Sequence, residues 1–204
     1  MSNLFEVLKQ RRSVRKFLSK PVSKELVLTV LEAAGWAPSA HNSQPWRFIV
    51  IDNPTIRREL AEKMANAWII DMTKDGCTVD EPKRIERKER FITAPVLILA
   101  CTTLKDLIQF GDEERQRIER DLAVESLGAG LENLLLAAHA SGLGACWYCA
   151  PAFCKEIVRE VLKIPDEVEP AALIVIGYPA ESPLMPIKKS VSEFCYLDVW
   201  GRSY

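Results

Sequence analysis

Seven consecutive residues, Pro95-Val96-Leu97-Ile98-Leu99-Ala100-Cys101, carry no charged or hydrogen-bonding side chain apart from one thiol, and this run constrains the fold more than any other stretch. Successive side chains of a strand point to opposite faces, so a strand apolar at every position needs cover on both. The run is therefore predicted to be the centre of a sheet. Three more strands are predicted over residues 47–52, 145–149 and 171–176, each an apolar run bounded by turn formers.

The covering helices are legible from capping and periodicity. Asn3 with Glu6 three residues on forms a capping-box pattern for a first helix carrying Leu4, Phe5, Val7 and Leu8 and ending near Arg11. A second begins after Ser23, aligns Leu26, Val27, Val30, Leu31 and Ala34, and closes at Gly35 and the Ala37-Pro38-Ser39 turn. Asn53-Pro54 supplies N-cap and first-turn proline for a third, using Ile56, Leu60 and Met64. The longest helix is predicted over 114–139, with Gly128 and Gly130 marking close contact with another element, since a mid-helix glycine otherwise costs ~1 kcal/mol. Pro151 opens the last, with Phe153, Ile157, Val158, Val161 and Leu162. Residues 70–90 mix turn formers with a dense charge run and read as a mobile excursion ending in a solvated helix. The order α-α-β-α-β-α-β-α-β indicates a mixed α/β plan. Residues 180–204 are proline-spaced and irregular, yet hold Leu184, Met185, Ile187, Phe194, Tyr196, Leu197 and Trp200, so they are expected to pack on their own subunit or on a partner.

With 204 residues, 48% of them hydrophobic, the chain can bury one core, and residues 1–204 read as a single domain. A net charge of −1 gives no global field for nucleic acid or anionic membrane. No apolar run approaches the ~20 residues that span a bilayer, and no secretory pattern opens the chain, so a cytoplasmic location is expected. Six cysteines without such a signal read as reduced thiols.

Two short constellations carry chemistry. In Arg11-Arg12-Ser13-Val14-Arg15-Lys16-Phe17, four cations and a hydroxyl follow a helix, and extended geometry sends Arg11, Ser13 and Arg15 to one side. That suits a phosphate dianion, because guanidinium forks donate paired hydrogen bonds; a solvated basic turn has the same composition. In Ala37-Pro38-Ser39-Ala40-His41-Asn42-Ser43-Gln44-Pro45-Trp46, two prolines frame amides and hydroxyls able to read the polar edge of a heterocycle, with Trp46 itself a core residue. Cys146 and Cys149 have the spacing of a redox pair, but on a strand they face opposite ways, and no second pair exists for zinc. No metal site is expected. Gly128-Ala129-Gly130 and Gly142-Leu143-Gly144 lack the third glycine and the preceding strand of a dinucleotide fingerprint, so any nicotinamide visits rather than resides. His41 reads as a phosphate or substrate contact or as a turn residue, and His139 as an offset to a helix dipole.

Taken together, RRSVRKF, APSAHNSQPW, GLGACW and PAALIVIGYP at this spacing resemble the nitroreductase superfamily over nearly the whole chain. The resemblance implies an α+β fold with a central mixed sheet flanked by helices, an interlocked homodimer, and FMN at the interface, with NADH or NADPH as transient donor. By position, Arg11, Arg12, Ser13 and Arg15 would hold the ribityl phosphate end, helped by Lys188 or Lys189. Asn42 and Gln44 would touch the ribityl chain or ring, Pro38 and Ser39 would come from the partner, and Trp147-Tyr148-Cys149-Ala150 would lie beside the reactive nitrogen. No dedicated acid–base pair is then required, because the flavin carries the hard chemistry. The implied reaction passes hydride from NAD(P)H through the flavin to a flat acceptor such as a nitroaromatic, quinone or activated alkene, with Trp68, Phe110 and Tyr148 as candidate stacking walls. The insert at 70–90, GLGACW and the Glu167-Val168-Glu169-Pro170 run also resemble the flavin domain of some deazaflavin-coenzyme γ-glutamyl ligases. The alternatives are thus a reductase of a dehydro deazaflavin precursor and a non-catalytic flavin-binding sensor.

Overall fold

The buried strand forms as expected. In the computed structural model, which describes residues 4–204, β2 (Val96–Thr103) is buried at every position. It pairs on one side with β1 (Trp46–Val50) and on the other with β4 (Val168–Gly177), and β3 (Gly144–Tyr148) closes the order β1-β2-β4-β3. All three pairings are antiparallel. The mixed character expected of the sheet is confined to one isolated parallel bridge, Ser13 to Ala145.

Strand alternation divides the interior into two cores. Val96, Ile98 and Ala100 of β2, with Ala172, Ile174 and Ile176 of β4, meet α2 (Lys24–Gly35) and α5 (Glu113–Ala140). The intervening Leu97, Leu99, Cys101, Leu173 and Val175 meet α3 (Pro54–Lys74), α4 (Glu81–Ile92) and α6 (Lys155–Leu162). Gly130 acts as its mid-helix position implies: a Cβ there would lie 3.3 Å from the Ala34 carbonyl oxygen of α2, and Asn133 donates to the neighbouring Ala33 carbonyl at 3.2 Å. The buried Arg57 ties the layers together by donating to the carbonyls of Ile51, Ala94 and Ile92.

The expected caps Ser23 and Asn53 accept amide hydrogen bonds from α2 and α3. The first helix, α1 (Leu4–Gln10), ends close to the expected place, while its assigned cap Asn3 lies outside the described residues. The expected mobile excursion at 70–90 is corrected: α3 continues to Lys74, and α4 begins at Glu81. The two form a hairpin because Asp80 caps α4, Arg84 reaches Asn66 at 3.2 Å, the Arg87 guanidinium stacks 4.0 Å over Trp68, and Phe91 is buried.

Residues 13–18 and 178–181 are stitched along the rim of the sheet. Val14 donates to the Ala145 carbonyl at 3.0 Å, Leu18 to Tyr178 at 2.9 Å, and Ala180 back to Lys16 at 2.9 Å. The Glu181 carboxylate accepts from the amides of Arg15 and Lys16 at 2.6 and 3.1 Å. Past this anchor Leu184, Met185, Ile187, Phe194 and Trp200 are exposed, although Tyr196 and Trp200 stack at 4.7 Å. No helix among the described residues is long and apolar enough to cross a membrane.

Gly144 has no room for a side chain, since a Cβ would come within 2.7 Å of buried Val14. Gly144→Ala is expected to lower stability by about 1–3 kcal/mol through overpacking, because the new methyl meets the Cβ of Val14 as well as its two γ-methyls. Urea unfolding measures this; an unchanged midpoint would remove the clash.

Candidate cofactor site

The N-terminal stitch delivers the basic segment to one groove. Arg11, Arg12, Ser13, Arg15, Lys9 and Lys188 line a space of about 580 Å³ walled by Leu8 and by Pro183, Leu184, Met185 and Pro186. Five cations and no carboxylate line it. Burial of Val14 turns Ser13 and Arg15 outward, as extended geometry requires. Arg12 joins them because its guanidinium folds over the end of α1, donating to the Lys9 and Arg11 carbonyls at 2.6 and 2.8 Å, where a cation also complements the helix dipole. Among the described residues, Arg11 is the one of the three arginines whose guanidinium has an ion-pair partner, Glu132 at 3.5 Å, and its buried Nε makes no hydrogen bond. The Arg15 guanidinium donates to the Ser13 carbonyl at 3.3 Å. Lys188 lines the groove and Lys189 does not, which separates two residues that the sequence left equivalent.

Behind it lies a smaller cavity of about 290 Å³, where His139 faces Arg11 and Arg12. Burial, then those two guanidiniums, lower the pKa of His139 from its ordinary value, which works against the helix-dipole offset expected of it.

The polar loop is elsewhere in the chain. Trp46 pairs with Thr102 at the far end of β2, whereas Ala145, bridged to Ser13, pairs with Ile176, which pairs with Val96 at the near end. The loop and groove also join opposite edge strands, β1 and β3. Strand rise and spacing put them roughly 20 Å apart along the sheet and roughly 14 Å across it. Within the loop, Ala40–Asn42 form one 3₁₀ turn, Ser39 accepts from the Gln44 amide through Oγ at 3.1 Å and from the Asn42 amide through its carbonyl at 3.0 Å, and the Pro38, Asn42 and Gln44 side chains are exposed.

The turn after β3 holds the third group of predicted residues. Trp147 and Tyr148 are half-buried, and neither the indole Nε1 nor the phenol has a hydrogen-bond partner. Tyr148 packs edge-on against Phe91 with centroids 5.2 Å apart, and burial, with Cys146 beside it, pushes its pKa up to about 12. Cys146 is buried and Cys149 exposed; both are free thiols, and no group of residues among those described could hold a metal ion. Trp68 and Phe110 serve as stacking platforms for Arg87 and Arg115 instead of lining the groove.

Sequence reasoning missed Lys9, Glu132, Glu181 and two buried polar residues of α5, Glu119 and Ser126. The last two had a readable signal, because they interrupt the apolar stripe Ala123, Leu127, Leu131 at helical spacing.

A model described as the nitroreductase family matches residues 8–178. A Methanothermobacter thermautotrophicus protein provisionally named NADH dehydrogenase/NAD(P)H nitroreductase is 33% identical over 183 residues, covering 89% of this chain and 80% of the relative. The Bacillus subtilis protein YfhC, provisionally named an NAD(P)H nitroreductase, is 30% identical over 182 residues, covering 89% and 87%. A crystal structure of a provisionally named nitroreductase from Desulfovibrio desulfuricans, in complex with FMN, superposes with a TM-score of 0.74 at 25% identity, covering 98% of this chain and 99% of that one.

Burial pushes the thiols of Cys101 and Cys154 up to about 12 and about 11. Iodoacetamide at pH 8 is therefore expected to label Cys77 and Cys149 readily in the folded apoprotein, leaving Cys101, Cys146 and Cys154 unmodified until denaturant is added. Peptide mass spectrometry reads this out, and a Cys146–Cys149 disulfide in the untreated protein would restore the redox pair set aside above.

Proposed function

This chain belongs to the nitroreductase family, and on that premise we propose that it is an FMN-dependent NAD(P)H oxidoreductase working as a homodimer on flat electrophilic acceptors. The observation that carries the proposal is the groove itself. Three guanidiniums, two ammonium groups and a serine hydroxyl converge there with no carboxylate in the lining, so an anion bearing several acceptor oxygens would neutralise charges that otherwise repel one another. A flavin phosphate fits this donor set.

Bound there, FMN would supply reversible two-electron hydride chemistry. The residues of the chain have the remaining tasks. Arg11, Arg12, Ser13, Arg15 and Lys188 hold the phosphate, and Glu181 keeps the Arg15 and Lys16 backbone in place without entering the groove. Residues 147–150 present the turn next to the reactive edge. Asn42 and Gln44 read ribityl and ring oxygens and nitrogens, with Pro38 and Ser39 framing them.

The opposite placement of groove and loop supports the homodimer. A cofactor held in one chain's groove reaches the loop most directly on a second chain, which would also cover Leu184, Ile187 and Trp200, exposed at 92%, 102% and 89% in the single chain. A flat, charge-delocalised acceptor such as a nitroaromatic, quinone or activated alkene suits a site that stacks and excludes water and has no dedicated acid–base pair.

FMN titration of the purified protein, with riboflavin in parallel, tests this. Arg12→Ala and Arg15→Ala are each expected to weaken FMN binding about 10- to 100-fold, the worth of one or two charge-assisted hydrogen bonds, and to leave riboflavin unchanged because it lacks the phosphate. NADH or NADPH should then bleach the bound flavin anaerobically, with colour restored by a nitroaromatic or quinone. A protein that binds no FMN would end the proposal.

A further inference from the structure

Glu119 and Ser126 are each 5% exposed and seven residues apart, so they share the α5 stripe that is otherwise apolar. Both reach the polar loop that precedes β1. The Ser126 hydroxyl donates to the Leu122 carbonyl at 2.7 Å, which leaves its lone pairs to accept from the Ala40 amide at 3.2 Å. Glu119 Oε1 lies 3.6 Å from Nε2 of His41. A buried carboxylate is costly to keep without a partner, and among the described residues the ion-pair partner of Glu119 is a loop histidine whose side chain is 58% exposed.

The loop needs holding. His41, Asn42 and Gln44 have φ of 55°, 54° and 45°, in the left-handed region that residues with a Cβ seldom adopt. Such a conformation costs of order 1–3 kcal/mol per residue and persists only where surrounding contacts over-determine it. The Asn42 and Gln44 amides donate to Ser39 and the Ser43 amide to the Ala40 carbonyl, and these bonds give the loop its internal shape. They do not fix it against the body of the protein; Glu119 and Ser126 do so at its centre, while Thr103 and Arg47 hold its far end by donating to the Pro45 and Gln44 carbonyls at 2.7 and 3.2 Å.

We propose that Glu119 and Ser126 are positioning residues that clamp the loop at 38–45 onto α5, through His41 and the Ala40 amide, in the one conformation that aims Asn42 and Gln44 outward at the cofactor. What Asn42 and Gln44 meet rests on the function proposed above; the clamp itself does not. Neither α5 residue touches the cofactor. Their effect is on the fraction of molecules whose loop is ready to bind, and a fall of that fraction to about one in ten raises the apparent Kd about tenfold.

Hydrogen–deuterium exchange on the apoprotein tests the clamp without any ligand. Glu119→Gln keeps the volume of the side chain, and His41→Asn keeps a residue tolerant of positive φ. Exchange at 38–45 is expected to speed up about tenfold in Glu119→Gln and in Ser126→Ala, with the rest of the chain unchanged. In wild-type protein that binds FMN, Glu119→Gln and His41→Asn should each weaken binding about tenfold, and the double variant no more than either alone. Unchanged exchange at 38–45, a uniform rise across the chain, or additive losses in the double variant would each overturn the clamp. If wild type binds no FMN while exchange responds as stated, the functional proposal falls and the clamp stands. If FMN binds and exchange does not respond, the clamp alone falls.

Discussion

A strand with no polar face is stable only between two apolar layers, and the placement of every other element follows from satisfying β2 on both sides. Alternation sends Val96, Ile98 and Ala100 toward α2 and α5, and Leu97, Leu99 and Cys101 toward α3, α4 and α6. β4 repeats the division beside it, so two strands carry most of the burial and the edge strands β1 and β3 are left to carry chemistry at their ends. Residues with polar work to do are displaced to the rim because the centre has no place for them. Arg57, one of the few exceptions inside, is bound to backbone carbonyls that the layers would otherwise leave unpaired.

At the rim, charge and strain are each offset by a contact from a distant part of the chain. Like charges packed around one groove repel, and the two acids nearby, Glu132 and Glu181, act on one arginine and on backbone amides while staying out of its lining. The positive potential is left for a ligand. The loop at the opposite end is the converse: few charges, several residues in a costly backbone conformation, and α5 as the body that restrains it. In the proposed homodimer, this diagonal layout would let each chain lend its loop to the other's groove.

Much of this was legible from residue order. The run from Pro95 to Cys101, the caps at Ser23 and Asn53, and the close approach at Gly130 depend on local chemistry and on periodicity, which a single sequence displays. The convergence of Arg11, Ser13 and Arg15 followed from strand alternation, whereas Arg12 joins them by folding back over the end of α1. The hairpin of α3 and α4 was hidden because its charges suggested solvent, when Arg87 and Arg84 use theirs on Trp68 and Asn66. The choice of Lys188 over Lys189, and the parts played by Glu119 and Glu181, are set by contacts across 78 to 166 positions of chain, taking the span of each pair from its residue numbers. Adjacent-residue patterns carry no information at that range.

The stitch between residues 13–18 and 178–181 joins one wall of the groove from each end of the chain. During synthesis, at about 5–20 residues per second, the sheet core can begin to assemble as soon as β1, β2 and α5 have emerged, but the groove has only its N-terminal wall until Pro183 to Lys188 follow. A nascent chain therefore lacks one wall of the groove until residues 183–188 have emerged, and a phosphate held as proposed would bind only after the stitch between 13–18 and 178–181 has closed.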